Sequence, residues 1–444
     1  MAPDPPDDPG SPSNPDEGNP EGDLPPDPFL PGEGLGGEGQ GGTGFEGLQI
    51  PGFDMAGLAG MDLSAADLER LTSMLGSSGP LSWEVASQVA SVVATEGAEE
   101  AAVDPGARTE LEELAHAAQT HVVAETGLAA TFRAEVRATD RRQWASLHLD
   151  ALRPVLEALA TTFGRALGNA AEVDSPGEGG DLFGNPLPVI APLLLGVQAG
   201  SMIGYLAQHA LGRYDLPLPS ADEPSLCFVV PNLDAFATAW SLERTDLRFY
   251  VAIHEVVHAA TRSVGWVRER MVALATEYVS AYEVDPTILE ARLGDLDPSD
   301  PEAIQQLASR PEDLLGAMRS PAQVEILGRI RALHTVLEGY ADCVLERVGA
   351  RLIPSFAQIH EAMARHRIER GEAERFVEGL LGLDAGQEDF ERGVAFGRGV
   401  IERASLEGLN RLWEDPANLP TPNELAAPGL WLARLELGDE SPHS

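Results

Sequence analysis

VAIHEVVHAATRSVGW, residues 251–266, sets two histidines four apart in an apolar stretch, with a glutamate directly after the first. The stretch reads as a helix. Positions i and i+4 of a helix lie about 40° apart, so the imidazoles of His254 and His258 share one face. That suits two ligands on one tetrahedral ion. Glu255 lies about 100° further round, within reach of a water on such an ion without being a ligand itself. All three residue types are needed if a metal-activated water attacks a peptide or amide carbonyl, with Glu255 as the general base that later hands the proton to the leaving amine. The bland reading of the same residues is a helix whose histidines pair with surface carboxylates.

A catalytic zinc site of this kind needs a third protein ligand. The metzincin extension would require glycine at Thr261 and histidine at Val264, so that subclass is excluded. A glutamate from a later helix is the other solution. The stretch RALHTVLEGYADCVLERVG offers Glu338 with Asp342 four residues on. Both then share a face, one to bind metal and the other to accept the outer N–H of a ligating histidine. His334, four residues before Glu338, shares that face as a candidate substrate or oxyanion contact. The competing ligand is Glu277, nineteen residues after His258, with Ala281 where an outer carboxylate would be expected. Tyr250 and Tyr340 could each offer a hydroxyl to a transition-state oxyanion, or simply pack.

Composition narrows the partners. The chain carries 71 acidic residues against 30 basic ones, a formal net charge of -41. Such a field repels phosphate backbones and anionic membrane surfaces, which argues against nucleic acid and favours cations. Every basic residue is arginine, so Schiff-base and P-loop lysine chemistry is excluded. Cys227 and Cys343 are too few for a disulfide framework or a cysteine-based zinc site, and fit a reducing compartment. With no secretory signal visible at the N-terminus, a cytoplasmic location is expected. The longest apolar run, residues 187–212, is broken by Pro188 and Pro192 and carries Gln198, Gln208 and His209. It reads as a buried core helix and not a membrane span, and no membrane insertion is expected. Its Gly196, Gly200 and Gly204 would let another helix approach closely.

Residues 1–46, rich in proline and acidic residues and free of basic ones, read as a disordered acidic tail whose protein partner is left open. GEGLGG from Gly32 matches a dinucleotide fingerprint in letters only, since no strand precedes it and no helix follows. Beyond the tail the pattern is mainly α. Ser64 and Asp67 open a helix to about residue 75, and SWEVASQVASVVATEG has helical spacing. Further helices are expected at about 107–136, 146–168, 187–211, 233–240, 245–263, 266–282, 322–347, 354–370, 372–381 and 387–412. SLCFVVPN, 225–232, is the strand candidate, while 284–323 reads as short helices and turns. His116, His121 and His148 read as ordinary core or surface residues. His360, Glu361 and His366 have the wrong spacing for a helical metal pair, and Arg213 and Asp215 read as a structural pair.

Several stretches together resemble a family of actinobacterial-type zinc-dependent metalloproteases, long catalogued as a domain of unknown function, some members being labelled coenzyme F420 biosynthesis-associated. The resemblance runs through GPLSWEVASQVA (79–90), LLLGVQAGSMIGYLAQHALGRYDLPLP (193–219), FVVPNLDAF (228–236), FYVAIHEVVHAATRSVGWVRERM (249–271), VLEGYADCVLERVG (336–349) and, near the end, LLGLDAGQEDFERGVAFGRGV and LPTPNELAAPGLWLARL. It implies a zincin-like, mainly α fold with a minimal β edge beside the HExxH helix, in a single domain over 47–436 with a loose tail at 437–444. It further implies one Zn2+ per chain at His254, His258 and Glu338, Glu255 as base, and a peptide or amide substrate. The chain departs from the family in its acidic tail, its lack of lysine and the acidic GQEDFERG. A second class of function remains open: a noncatalytic, zinc-stabilised scaffold that binds a protein partner, which would have no chemical need for Glu255.

Overall fold

In the computed structural model the described residues are 79–128, 135–173, 187–283, 320–368, 372–383 and 386–439. The acidic tail, the helix expected from Ser64, the turns at 284–319 and residues 440–444 lie outside them. Helices α1 (Trp83–Ala94) and α2 (Pro105–Thr126) precede strand β1 (Val136–Thr139). Then come α3 (Arg141–Ala151), α4 (Arg153–Val173), α5 (Leu187–His209), β2 (Leu226–Val229), α6 (Val230–Ala239), α7 (Arg244–Arg262) and α8 (Gly265–Ser280). The rest is α9 (Pro321–Leu352), α10 (Phe356–Ile368), α11 (Glu372–Leu381), α12 (Gln387–Asn410), α13 (Pro422–Ala426) and α14 (Pro428–Asp439). The fold is mainly α, with a two-stranded β edge beside the histidine helix.

The sheet differs from expectation in both strands. β1 pairs in parallel with β2, from Val136 opposite Leu226 to Thr139 opposite Val229. β2 is fully buried but ends at Val229, because Pro231 sits in the first turn of α6, where its missing N–H costs nothing. The helix expected to reach residue 136 stops at Thr126, where Gly127 adopts a left-handed φ of 67° and caps it. That stop frees the following residues to form β1.

α5 meets α1 along the glycine face. A Cβ on Gly196 would come within 2.6 Å of the Ser82 carbonyl oxygen, and one on Gly204 within 2.7 Å of the Ala90 oxygen. One on Gly200 would collide with the Ala86 oxygen between them. No helix among the described residues is long and apolar enough to cross a membrane.

α7 and α9 form the second crossing. α7 starts at Glu243, whose side chain accepts from the Asp246 N–H, and it is buried on nearly every side from Leu247 onward. α9 starts with a capping box, Ser320 and Gln323 each accepting the other's backbone N–H. Gly339 and Gly393 let α12 press against α9, since a Cβ on either would collide with backbone of the other helix. That contact seats the turn of α9 that carries Glu338.

Candidate metal centre

α7 and α9 bring His254, His258 and Glu338 together. One ligand atom from each lies within 4.8 Å of the others. The two rings have centroids 4.4 Å apart, and His258 Nε2 stands 3.8 Å from Glu338 Oε2. Two donors sharing a tetrahedral ion at ordinary zinc distances are about 3.4 Å apart, so the spacing fits. His258 is fully buried, and its Nε2 has no hydrogen-bond partner among the described residues. Leaving such an atom unmatched costs about 1–3 kcal/mol, and a metal ion would satisfy it. Burial holds His254 down to about 4 and His258 well below the usual histidine value, so neither ring carries a charge that would repel a cation. Two nitrogens and one carboxylate oxygen, with no fourth protein ligand among the described residues, are a donor set for zinc.

Glu255 is fully buried, and its surroundings are built from backbone. Its carboxylate accepts N–H groups from Tyr214 at 2.8 Å, Arg213 at 3.0 Å and Cys227 at 3.5 Å. Gly212 supplies the room, since a Cβ there would lie 2.5 Å from Oε1. Burial pushes the carboxyl up to about 8, with the three N–H groups pulling the other way. Oε1 lies 4.0 Å from His254 Nδ1. A carboxylate has about four acceptor sites, so one remains open. The expectation that a scaffold would have no use for Glu255 is corrected here: the side chain ties the 212–214 turn and β2 to α7 whatever else it does.

The partners around the cluster are mostly not those expected. Asp342 does not accept an N–H from either histidine of the cluster. Its nearest imidazole is His360 on α10, with Nε2 3.8 Å from Oδ1, and His360 Nδ1 is 3.0 Å from the Tyr250 hydroxyl. Tyr250 lies one turn before His254 and Asp342 one turn after Glu338, so Tyr250, His360 and Asp342 form a layer beside the cluster. Burial raises the Asp342 carboxyl above its ordinary value. Asp215 pairs not with Arg213 but with His366 on α10, at 3.8 Å. Burial works against its charge, but the His366 contact prevails and holds the carboxyl down to about 2. Arg213 binds Ser225 and, at 2.8 Å, Ser220.

His334 lies on the cluster side of α9, buried, with Nδ1 unpartnered among the described residues and the ring held down to about 3 by burial. Tyr340 lies elsewhere: two residues from Glu338 and so on the far face, it donates to Asn410 Oδ1 at 2.7 Å and packs edge-on against Trp413. A role at the oxyanion is excluded by that orientation. Glu277 is half exposed and ion-paired with Arg329 at 2.5 Å, apart from the cluster. His148, buried, stacks on Trp144 with centroids 3.7 Å apart. Neither α10 histidine was legible as a neighbour of the cluster, because contact between α10 and α7 is set by packing alone.

The family model for zincin-like metallopeptidases matches residues 81–432, most of the chain. The chain belongs to that family, whose members are metal-dependent hydrolases with zinc as the customary ion. Among solved structures it is similar to a protein from Chloroflexus aurantiacus described as "a putative hydrolase with a novel fold", at 26% identity and a TM-score of 0.56. The alignment covers 80% of this chain and 99% of that one. Comparison with curated proteins gives no match.

Proposed function

We propose that this chain is a zinc-dependent peptidase or amide hydrolase in which His254, His258 and Glu338 hold the ion and Glu255 is the general base. The observation that carries the reading is the buried, unpartnered Nε2 of His258 beside Glu338 Oε2, at 3.8 Å. Bound there, zinc would supply Lewis acidity toward a substrate carbonyl.

The chain's own residues supply the rest. Burial keeps both imidazoles neutral, as donation to a cation requires. Glu255, pushed up to about 8, holds a proton affinity close to neutral pH, where a group that must both take and return a proton works best. The three backbone N–H groups fix its orientation and leave one acceptor position for that proton. His254, 14% exposed at its side chain, and Glu338, 21% exposed, form the open side of the cluster, so a peptide or amide would approach there.

A second reading has one observation in its favour: Glu255 has a structural task, so its presence is compatible with a noncatalytic zinc scaffold. Glu255→Gln separates the two on zinc-loaded protein assayed against a peptide and acyl-amide library. The hydrolase reading expects turnover by the wild type, a fall in kcat of about 10²-fold or more in the variant, and zinc retained at one per chain. Because one backbone N–H would then face an amide N–H, a loss of about 1–3 kcal/mol in stability is also expected. Equal turnover by both proteins would remove Glu255 from the chemistry, and no turnover by zinc-loaded wild type would favour the scaffold.

A further inference from the structure

Against the Nδ1 of His258, and not the Nε2 that faces Glu338, lies a group that the hydrolase reading does not use. Arg262 is one turn further along α7 and 4% exposed. Its Nη1 stands 2.6 Å from His258 Nδ1 and 3.4 Å from the His258 carbonyl oxygen. The guanidinium carbon lies 4.7 Å from the centre of the Tyr214 ring. Nε and Nη2 are buried and have no hydrogen-bond partner among the described residues. The charges of Glu338 and Glu255 act on it from a distance, but no carboxylate of a described residue hydrogen-bonds its Nε or Nη2.

A guanidinium only donates and is permanently charged. A neutral imidazole that binds metal through Nε2 carries its proton on Nδ1 and ordinarily gives it to a carboxylate or carbonyl, which strengthens the ligand. His258 Nδ1 faces a donor instead. In metal-free protein the ring proton then belongs on Nε2, the atom turned toward Glu338, and a metal can enter only if that proton shifts to Nδ1, against the Arg262 donor, or is released to solvent. A fixed positive charge at the back of the ring also withdraws electron density from the ligand and repels a second cation.

We propose that Arg262 is a positioning residue that weakens the centre's hold on its metal, acting through the tautomer and donor strength of His258. The centre therefore fills and empties with metal supply and does not retain its ion permanently. This rests on the zinc reading above.

The test uses the full chain freed of metal, with Arg262→Gln, which keeps an N–H but removes the charge, and Arg262→Lys, which keeps the charge. Zinc is titrated in competition with a chromophoric chelator, and Co2+ absorption reports the coordination geometry. Arg262→Gln should bind zinc about tenfold or more tightly than wild type, the reverse of the usual loss on removing an outer partner. Arg262→Lys should stay within about threefold, and the cobalt spectra should keep one shape. Unchanged or weaker binding by folded Arg262→Gln overturns the proposal alone. Failure of all three proteins to bind zinc overturns it together with the metallohydrolase reading. Should Arg262→Gln not fold, long-range 15N–1H spectra of metal-free wild type decide: a bare Nδ1 and protonated Nε2 at His258 is expected, and a protonated Nδ1 would contradict it.

Discussion

Two helix crossings in this protein use the same spacing of four residues for opposite ends. On α5, Gly196, Gly200 and Gly204 present nothing, and the carbonyl oxygens of Ser82, Ala86 and Ala90 on α1 settle against bare backbone. On α7, His254, His258 and Arg262 present rings and charge to the α9 face that carries His334, Glu338 and Asp342. The first crossing closes mainly by van der Waals contact, with Gln208 donating to the Val93 carbonyl oxygen and only the hydroxyls of Ser82 and Ser201 buried there without partners among the described residues. The second holds buried polar atoms without partners, at His258, Arg262, His334 and Asp342 among the described residues. Periodicity places groups on a face; their chemistry decides whether the face is finished by packing or waits for a ligand.

The sharpest way to separate the crossings is to empty one. His258→Ala should lower zinc affinity by about 10³-fold or more and take any hydrolysis to background; competition titration checks it, and unaltered binding would mean that the α7 and α9 face is packing after all. Overfilling the other crossing should do the reverse. Gly200→Val forces a side chain into the Ala86 carbonyl and should cost about 3 kcal/mol or more in denaturant unfolding. The surviving folded fraction should still bind one zinc.

The second crossing, with the buried His148 on α3, sets the response to pH. Unfolded histidines take up protons below about pH 6.5, while in the fold burial holds His148 and His254 to about 4 and His334 to about 3, with His258 also depressed. Across that window the unfolded state binds more protons, so metal-free protein loses stability as pH falls from 6.5 toward 4. Glu255 has the opposite sign: raised to about 8, it stays protonated in the fold and takes stability away as pH rises from its unfolded value near 4.5 to 8. Below about 6.5 the four rings outweigh the raised carboxyls of Glu255 and Asp342, and above it the rings' contribution fades and Glu255 dominates. A stability maximum near pH 6.5 is expected, with about 2–4 kcal/mol lost at pH 5.5 in chelator-treated protein. A flat profile in denaturant titrations would show that the cluster is not buried as described. The smallest effect belongs to Tyr340→Phe, which loses one hydrogen bond to Asn410 and should cost about 1 kcal/mol without altering zinc affinity or activity.

Much of this was legible in the chain itself. HEVVH placed two imidazoles on one face because helical geometry is local, and Glu338 stood out through its E-x-x-x-D pairing. The glycine face of α5 was equally plain. What escaped depended on distant segments. Gly212 and the backbone N–H groups of Arg213, Tyr214 and Cys227 receive Glu255 only after the chain from α5 to β2 has turned back on α7. His360 and His366 reach Tyr250, Asp342 and Asp215 because α10 packs there, and no spacing along the chain encodes that. β1 was hidden in a stretch whose arginines and alanines favour helix, and its pairing with β2 overrode that propensity. Arg262 was in plain view at spacing four from His258; the missed signal was a cation where an acceptor is customary.

The central claim is that α7 and α9 together form one metal centre. Its most direct test is metal content by mass spectrometry on protein purified without a metal-affinity step and dialysed against zinc, for wild type, Glu338→Ala and Glu277→Ala. One zinc per chain in wild type and Glu277→Ala, and little in Glu338→Ala, is the expected result. Zinc lost in Glu277→Ala and kept in Glu338→Ala, or no zinc in well-folded wild type, would contradict it.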